Sequence, residues 1–226
     1  MPRTRSKDYD DKKNQILDVA ASMFADAGYK ACKMEDIAER CNVSKSMLYH
    51  YFKRKEDVLF EIVYDHVVSL NGTIENYLAS ANDGNKRLFF GRFLEKYLQK
   101  STPGRERHAV TIRDTRWLTP EQLAKQEMLE RKNADLIVQV LKKVNPNYTA
   151  REYKVYAFLL IGMINWIELW YSSRGAMTRP ELYDRIAVLF LDGFLAGYRD
   201  SKPLPVENGT RKRESPMRQR GPRAPV

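Results

Sequence analysis

The side chains best suited to a chemical task lie between Ser44 and Lys55, where polar and basic residues alternate with apolar ones and no aspartate or glutamate occurs. Lysine and histidine donate hydrogen bonds to phosphates and base edges, and hydroxyl groups donate to phosphate oxygens. Helical spacing gathers one set on the outward face: Lys45, Ser46, Met47, Tyr49, His50 and Tyr51. A donor-rich helix face without carboxylates predicts contact with nucleic acid.

Two short helices joined by a tight turn are predicted to position this face. The buried side of the first helix is marked at helical spacing by Met34, Ile37, Ala38 and Cys41, and that of the second by Val43, Leu48 and Phe52. Asn42 favours the turn because its side chain tolerates left-handed backbone, and Ser44 is the predicted N-cap. This arrangement is a helix-turn-helix, whose second helix enters a major groove.

The segment from Lys12 to Leu59 resembles the DNA-binding domain of the TetR (tetracycline-repressor) family. The similarity rests on ILDVAASMFADAGY followed by MEDIAERCNVSKSMLYHYFKRKEDVL, which match the family's first helix, its helix-turn-helix and the lysine that opens a long fourth helix. The resemblance implies phosphate contacts by Lys33, Ser44, Tyr49, Tyr51 and Lys55. It implies base-edge contacts by Lys45, Ser46, Met47 and His50, although a half-buried packing role explains Met47 nearly as well.

Two positions depart from the family pattern. Lys33 stands where family members commonly place a capping Ser or Thr, and Tyr51 stands where they often have histidine, which here comes one residue earlier as His50. Both departures keep a donor near phosphate, so DNA binding is still implied while individual contacts differ.

The net charge of +10 is unevenly distributed along the chain. Residues 1–55 carry a net +4 and residues 201–226 a net +5, whereas residues 56–200 carry +1. Basic ends are typical of nucleic-acid partners, although charged termini are also often only solvated. The predicted organisation is a DNA-binding domain over 1–54, an all-α ligand-binding and dimerisation domain over 55–200, and a disordered basic tail over 201–226.

Composition argues against a membrane protein, a secreted protein and an enzyme. No apolar run reaches a membrane-spanning length and the N-terminus lacks a signal-like stretch, which predicts a cytoplasmic protein. Cys32 and Cys41 lack the spacing of a zinc site. No glycine-rich phosphate loop or nucleophile elbow accompanies the three histidines, so no catalytic, metal or cofactor site is predicted. A helical-bundle enzyme and an interaction module that never touches DNA are the alternative classes.

A long helix from Lys55 to Ala81 is predicted to connect the two domains and to act as the lever for a signal. His66 on its apolar face is predicted to be an interior histidine. The helices that follow carry side chains able to enclose a small hydrophobic effector, and the predicted lining is Phe89, Phe93, Tyr97, Trp117, Phe158, Met163 and Trp166. Core packing explains each of these residues at least as well.

Two closing helices, predicted over Thr149–Arg174 and Pro180–Asp200, carry more apolar surface than one core contact requires. The family resemblance implies that they pair with their copies in a two-fold homodimer. The predicted interface is Tyr156, Leu160, Ile167, Trp170, Ile186, Phe190, Gly193, Phe194 and Gly197. A second apolar stripe on the first closing helix contains Val155, Phe158, Gly162, Trp166 and Leu169.

The closing segment GMINWIELWYSSRGAMTRPELYDRIAVLFLDGF also resembles family members that respond to acyl-CoA thioesters. That resemblance implies Arg105, Arg107, Arg113 and Arg116 as partners for CoA phosphates, although arginines near a loop more often form a solvated surface. The overall expectation is a repressor that binds a palindromic operator as a dimer and is released by a small hydrophobic or acyl-CoA-type effector. A constitutive DNA-binding dimer, whose body is only a scaffold, is the alternative.

Overall fold

The structure is a computed structural model that describes residues 7–81, 84–101, 105–171 and 175–197. These residues form helices joined by short loops, with no strand among them, which confirms the all-α fold class. The helices are α1 (Lys7–Ala27), α2 (Met34–Arg40), α3 (Lys45–Tyr51), α4 (Lys55–Ser80), α5 (Lys86–Ser101), α6 (Arg105–Asp114), α7 (Pro120–Val144), α8 (Ala150–Trp170) and α9 (Arg179–Ala196), with a 3-10 turn at Thr115–Trp117.

The first three helices pack around a small core, and their connection has the predicted geometry. Ile16, Phe24, Ile37 and Leu48 are completely buried there. The turn between α2 and α3 contains Asn42 with a φ of 51°, the left-handed conformation that asparagine tolerates. The Ser44 side chain accepts a hydrogen bond of 3.1 Å from the Met47 backbone N–H, which confirms its role as N-cap of α3.

This first core does not end at residue 54. It continues into α4 through Val58, Leu59, Ile62 and Val63, and it includes Val110 of α6 and Leu118. The beginning of α4 and the middle of α6 therefore belong physically to the helix-turn-helix unit, which we call the head.

The remaining helices form a second core, which we call the body. Its centre contains Phe90 and Phe93 of α5, Ile137 and Val140 of α7, and Phe194 of α9. The Phe90 ring stacks on Phe190 with centroids 5.5 Å apart and planes 11° apart, which joins α5 to α9. No helix among the described residues is long and apolar enough to cross a membrane.

Capping residues set the boundaries of the closing helices. Thr149 and Thr178 accept hydrogen bonds from the backbone N–H groups of Glu152 and Glu181, at 3.3 and 3.4 Å, and so fix the starts of α8 and α9. α8 ends at Trp170 and α9 at Ala196, before the predicted ends. The predicted helix ends at 172–174 and 198–200, and the predicted basic tail at 201–226, lie outside the described residues.

Candidate functional site

The outer face of α3 is exposed and has the composition that the sequence predicts. Lys45, Ser46 and His50 are exposed, Met47 and Tyr49 are 37% and 39% exposed, and Leu48 faces the core. The Lys45 ammonium pairs with a carboxylate oxygen of Glu35 at 3.7 Å, and both side chains are exposed. An exposed pair at that distance contributes little, so Lys45 can exchange Glu35 for another acceptor.

The last turn of α3 is supported by α1. The Tyr51 ring packs on Tyr9 with centroids 4.6 Å apart, and the His50 ring lies 6.3 Å from the same tyrosine. The sequence pattern does not indicate Tyr9 as a neighbour of this face, because Tyr9 lies 42 residues before Tyr51 in the chain. The contact leaves Tyr51 half-buried and His50 exposed.

The two lysines predicted to contact phosphate occupy different environments. Lys33 is exposed immediately before α2, where its backbone N–H donates to the Asp36 carboxylate at 2.9 Å. The Lys55 ammonium instead points inward: it donates to the carbonyl oxygens of Tyr29 at 2.9 Å and Cys32 at 2.7 Å, and it lies 4.2 Å from the centre of the Tyr29 ring. This differs from the expected phosphate contact, because the Lys55 ammonium already donates hydrogen bonds to these two carbonyl groups. They lie 26 and 23 residues away in the sequence.

Replacing Lys55 with methionine is therefore expected to destabilise the head. The substitution keeps the aliphatic stem but leaves two carbonyl groups without their charged donor, and hydrogen bonds to charged groups contribute roughly 1.5–3 kcal/mol each at most. Thermal unfolding followed by circular dichroism should show a lower Tm than Lys33→Met, whose side chain is exposed. An unchanged Tm together with a uniform loss of DNA affinity would restore the phosphate role of Lys55.

A cavity of about 310 Å³ lies between α4, α5, α6, α7 and α8. Its buried wall is polar and consists of His66, Tyr97, His108 and Asn133, all between 3% and 6% exposed. Val67, Leu70 and Ile161 provide apolar surface, and Glu130, Phe158 and Asn165 lie at the more exposed side.

Hydrogen bonds order the polar wall. His66 Nε2 lies 2.9 Å from His108 Nδ1, in a buried contact between α4 and α6. Tyr97 donates its hydroxyl to the Asn133 side-chain oxygen at 3.4 Å, and the Asn133 amide donates to Asn71 at 2.8 Å. Asn71 in turn donates to the Leu129 carbonyl at 3.1 Å. These residues hold polar atoms at fixed positions in an otherwise apolar body.

Two of the seven residues predicted to line a ligand site do line this cavity, namely Tyr97 and Phe158. Phe89 and Phe93 face the body core instead, and Met163 packs partly buried against it. Trp117 belongs to the head, where its ring stacks on Tyr29 with centroids 6.3 Å apart. Trp166 is 63% exposed on the outside of α8. The aromatic residues of the prediction are thus mostly core or surface, because periodicity does not reveal which apolar face borders a void.

A larger groove of about 870 Å³ runs between α5 and α9. Its lining is mainly exposed, as at Arg87, Leu88, Glu95 and Asp184, and Leu94 is its buried member. Buried, convergent polar groups are the mark of a specific small-molecule site, so the smaller cavity is the better candidate.

Helix α6 connects this cavity to the head. Arg107, next to His108, donates to the Asp18 carboxylate of α1 at 2.9 Å. Arg113 donates to the carbonyl oxygens of Phe24 and Ala25 at 3.3 and 3.0 Å, at the C-terminal end of α1. The predicted binding of CoA phosphates by these arginines is therefore not supported, since their guanidinium groups hold α1. Arg116, also in that prediction, lies over the Trp117 ring at 5.3 Å.

The outward surfaces of α8 and α9 are strongly apolar. Val155, Phe158, Leu159, Trp166 and Trp170 on α8 are 53% to 64% exposed, and Val188 and Leu189 on α9 are 55% and 70% exposed. We call these seven residues the closing face. Exposed large apolar side chains in this number favour an association site.

The closing face differs from the predicted dimer interface in its helical phase. Leu160, Ile167, Ile186, Phe190 and Phe194 are at most 7% exposed within the single chain, so they cannot contact a partner without unpacking the body. Tyr156 is half-buried against Phe190 and Phe194. Of the predicted residues, Trp170 and Gly193 are exposed, and Gly197 ends α9 with a φ of 76°. The stripe that contains Phe158 and Trp166 is the outward one.

Comparisons with known proteins agree with this architecture. Residues 16–62 match the family described as "Bacterial regulatory proteins, tetR family", and residues 90–194 match "Tetracyclin repressor-like, C-terminal domain". A TetR-family transcriptional regulator from Bordetella parapertussis is 32% identical over 81% of this chain and 95% of its own, with a TM-score of 0.72.

Two further similarities are more limited. The activator FasR of Mycolicibacterium smegmatis is 34% identical over 79 residues, 35% of this chain and 36% of FasR, so the match spans about a third of that curated relative. AibR, solved in complex with isovaleryl coenzyme A and operator DNA, is 22% identical over 79% of this chain and 97% of its own, with a TM-score of 0.68, which shows a common fold.

Proposed function

We propose that this chain, which belongs to the TetR family of DNA-binding transcriptional regulators, is a ligand-responsive repressor that binds a near-palindromic operator as a two-fold dimer. The observation that carries the DNA-binding part is the exposed, carboxylate-free face of α3, a helix that is anchored in the head core by Leu48. Such a regulator acts on DNA in the cytoplasm and is not an enzyme.

In the proposed complex, α3 enters the major groove and its contacts divide into two groups. Lys45, Ser46, Met47 and His50 face base edges, since they are exposed at the start and on the outer side of α3. Lys33, Ser44, Tyr49 and Tyr51 contact the phosphate backbone. Lys55 is left out of the second group because its ammonium is bonded within the head.

The closing face supplies the dimer in this proposal. Pairing α8 and α9 with their copies would cover two exposed tryptophans and the aliphatic residues beside them. A two-fold dimer presents two copies of α3, so its operator consists of two inverted half-sites.

The effector would act through α6 and α4, which both line the cavity and both contribute residues to the head core. A ligand weakens DNA binding only if it prefers the DNA-free conformation, and such couplings are typically 1–3 kcal/mol. Movement of α6 on ligand binding would be passed to α1 through the Arg107–Asp18 pair and the Arg113 hydrogen bonds.

Selection of binding sites from a random duplex library tests the proposal directly. The purified protein is expected to enrich one inverted repeat, and its affinity for that sequence should fall steeply as salt rises. A reporter under control of the enriched site should be silenced when the protein is expressed. Failure to enrich any sequence would refute the DNA-binding role, whereas enrichment of a single half-site would refute the dimer.

Lys45→Ala is expected to reduce discrimination more than general affinity. A lysine donating to guanine contributes roughly 1–3 kcal/mol of base discrimination, so affinity for the enriched site should fall about 5- to 150-fold. Affinity for a scrambled duplex should change much less. Fluorescence anisotropy on both duplexes measures this, with Lys132→Ala as the control, because Lys132 pairs with Glu75 in the body. Equal losses on both duplexes would place Lys45 on the phosphate backbone.

Three alternatives predict different outcomes. FasR, to which about a third of this chain is similar, is an activator, and in that case the reporter would be induced instead of silenced. A constitutive dimer would bind its operator with the same affinity whether or not the cavity is occupied. AibR makes an acyl-CoA thioester a candidate effector, with the acyl group in the cavity and the nucleotide outside it.

A further inference from the structure

The buried wall of the cavity contains two histidines in direct contact, which the DNA-binding role does not use. His66 and His108 both line the cavity, and their ring nitrogens are 2.9 Å apart. Two neutral imidazoles share this bond with one as donor and the other as acceptor. The two nitrogens outside the bond then comprise one N–H donor and one acceptor. A pair that gains one proton has N–H donors at both of those nitrogens and a charge of +1.

The surroundings of His66 disfavour its charged form. The pKa of His66 is lowered to about 3, mainly by burial and to a smaller extent by His108 and Arg107. Among the other charged groups, Asp65 on α4 interacts with Arg107, and Glu130 on α7 is exposed. On α5, burial raises the pKa of Tyr97 to about 12, so its hydroxyl is neutral. The lining residues of α8 are Phe158, Ile161 and Asn165, which do not titrate.

We propose that the cavity, in its role as the effector site proposed above, binds a compact carboxylic acid whose carboxylate is held by the singly protonated His66–His108 pair. The ionised acid enters together with one proton from solvent. Of the two ring nitrogens that do not take part in the His66–His108 bond, one already carries a hydrogen, and the proton adds to the other. Two N–H donors with one positive charge then face two carboxylate oxygens, which is a charge-assisted pairing. The rest of the acid lies against Val67, Leu70 and Ile161.

The size and charge of the cavity favour the free acid over its CoA thioester. About 310 Å³ lies at the lower end of the range for ligand cavities, roughly 300–1,000 Å³. No lysine or arginine is among its described lining residues, so CoA phosphates would find no cationic partner inside. A primary amide has nearly the same shape as the acid but does not ionise, and it therefore isolates the contribution of the proton.

Isothermal titration calorimetry of the full-length protein tests the proposal with benzoate, phenylacetate and 3-methylbutanoate and with their primary amides. In buffers that differ in ionisation enthalpy, at least one acid is expected to bind with uptake of about one proton. Its affinity should fall about tenfold per pH unit from pH 6 to 8, as for any step linked to one proton. Binding without proton uptake, tighter binding of every amide, or no acid binding at millimolar concentration would overturn the proposal.

A double variant, His66→Gln with His108→Gln, tests the site of protonation. Glutamine keeps a donor and an acceptor at each position but cannot take up a proton. The bound acid should lose at least tenfold in affinity together with its proton uptake, whereas its amide should change less than threefold. Gln139→Ala, on an exposed position of α7, serves as the control. Proton uptake that persists in a folded double variant would place the proton elsewhere and overturn the proposal. If the double variant does not fold, the proton uptake measured with the wild-type protein still tests the proposal.

The same preparations are tested for salt-dependent binding to duplex DNA by anisotropy. DNA binding without acid binding would reject the ligand class and leave the DNA-binding role intact. Acid binding without DNA binding would reject the proposed regulator while supporting the chemistry of the cavity.

Discussion

Leu189→Glu is expected to break the proposed dimer into monomers and to weaken operator binding by about 100-fold or more, equivalent to about 2.7 kcal/mol. Leu189 is 70% exposed on α9, so a glutamate there is solvated in the single chain and the body still folds. In a dimer through the closing face the carboxylate would be buried without a partner, at a cost of several kcal/mol. The two-fold axis places that cost in the interface twice.

Sedimentation velocity measures the oligomeric state, and anisotropy with a full inverted repeat measures DNA affinity. Trp166→Glu on α8 should give the same result, because it belongs to the same face. Met128→Glu is the matched control, since Met128 is 66% exposed on α7, outside the closing face. A dimer that survives both closing-face substitutions would show that the partner binds elsewhere.

Phe90→Ala is expected to lower the free energy of unfolding by about 3–5 kcal/mol, the usual cost of truncating a fully buried phenylalanine. Phe90 is 0% exposed, and its ring is stacked on Phe190. The cavity left behind cannot close easily, because α5 and α9 also contact other parts of the body. Since α9 carries part of the closing face, the proposed dimer should weaken as well.

Urea unfolding followed by circular dichroism measures the change, at one fixed protein concentration because dimerisation contributes to apparent stability. Leu88→Ala provides the comparison on the same helix, where the side chain is 47% exposed, and it should cost less than about 1 kcal/mol. Similar losses of stability for the two variants would show that the burial of Phe90 against Phe190 contributes little to the free energy of unfolding.

The head could be predicted from the sequence because its signals are local. Helical periodicity, the Asn42 turn and the Ser44 cap each depend on residues within a few positions, and the structure has all three. The exposed face of α3 follows directly from the buried position of Leu48. The Lys55 contacts could not be predicted, because their acceptors are backbone carbonyls that only the folded chain brings near.

The packing of the body could not be predicted in the same way, because it does not depend on local signals. α8 has apolar residues on two sides, and nothing local distinguishes Leu160, which is buried, from Phe158, which is 64% exposed. The assignment depends on which side meets α7 and α9, a property of the packed molecule. The His66–His108 contact is similarly hidden, since His108 lies 42 residues later on a short polar helix without apolar periodicity.

The arrangement of the two apolar cores along α4 has a consequence for motion. The head core ends at Val63 and the body core begins at Leu70, while His66 and Val67, which border the cavity, belong to neither. The seam between the two cores thus coincides with the void. A ligand bound there can therefore tilt the head relative to the body without disturbing the packing inside either core.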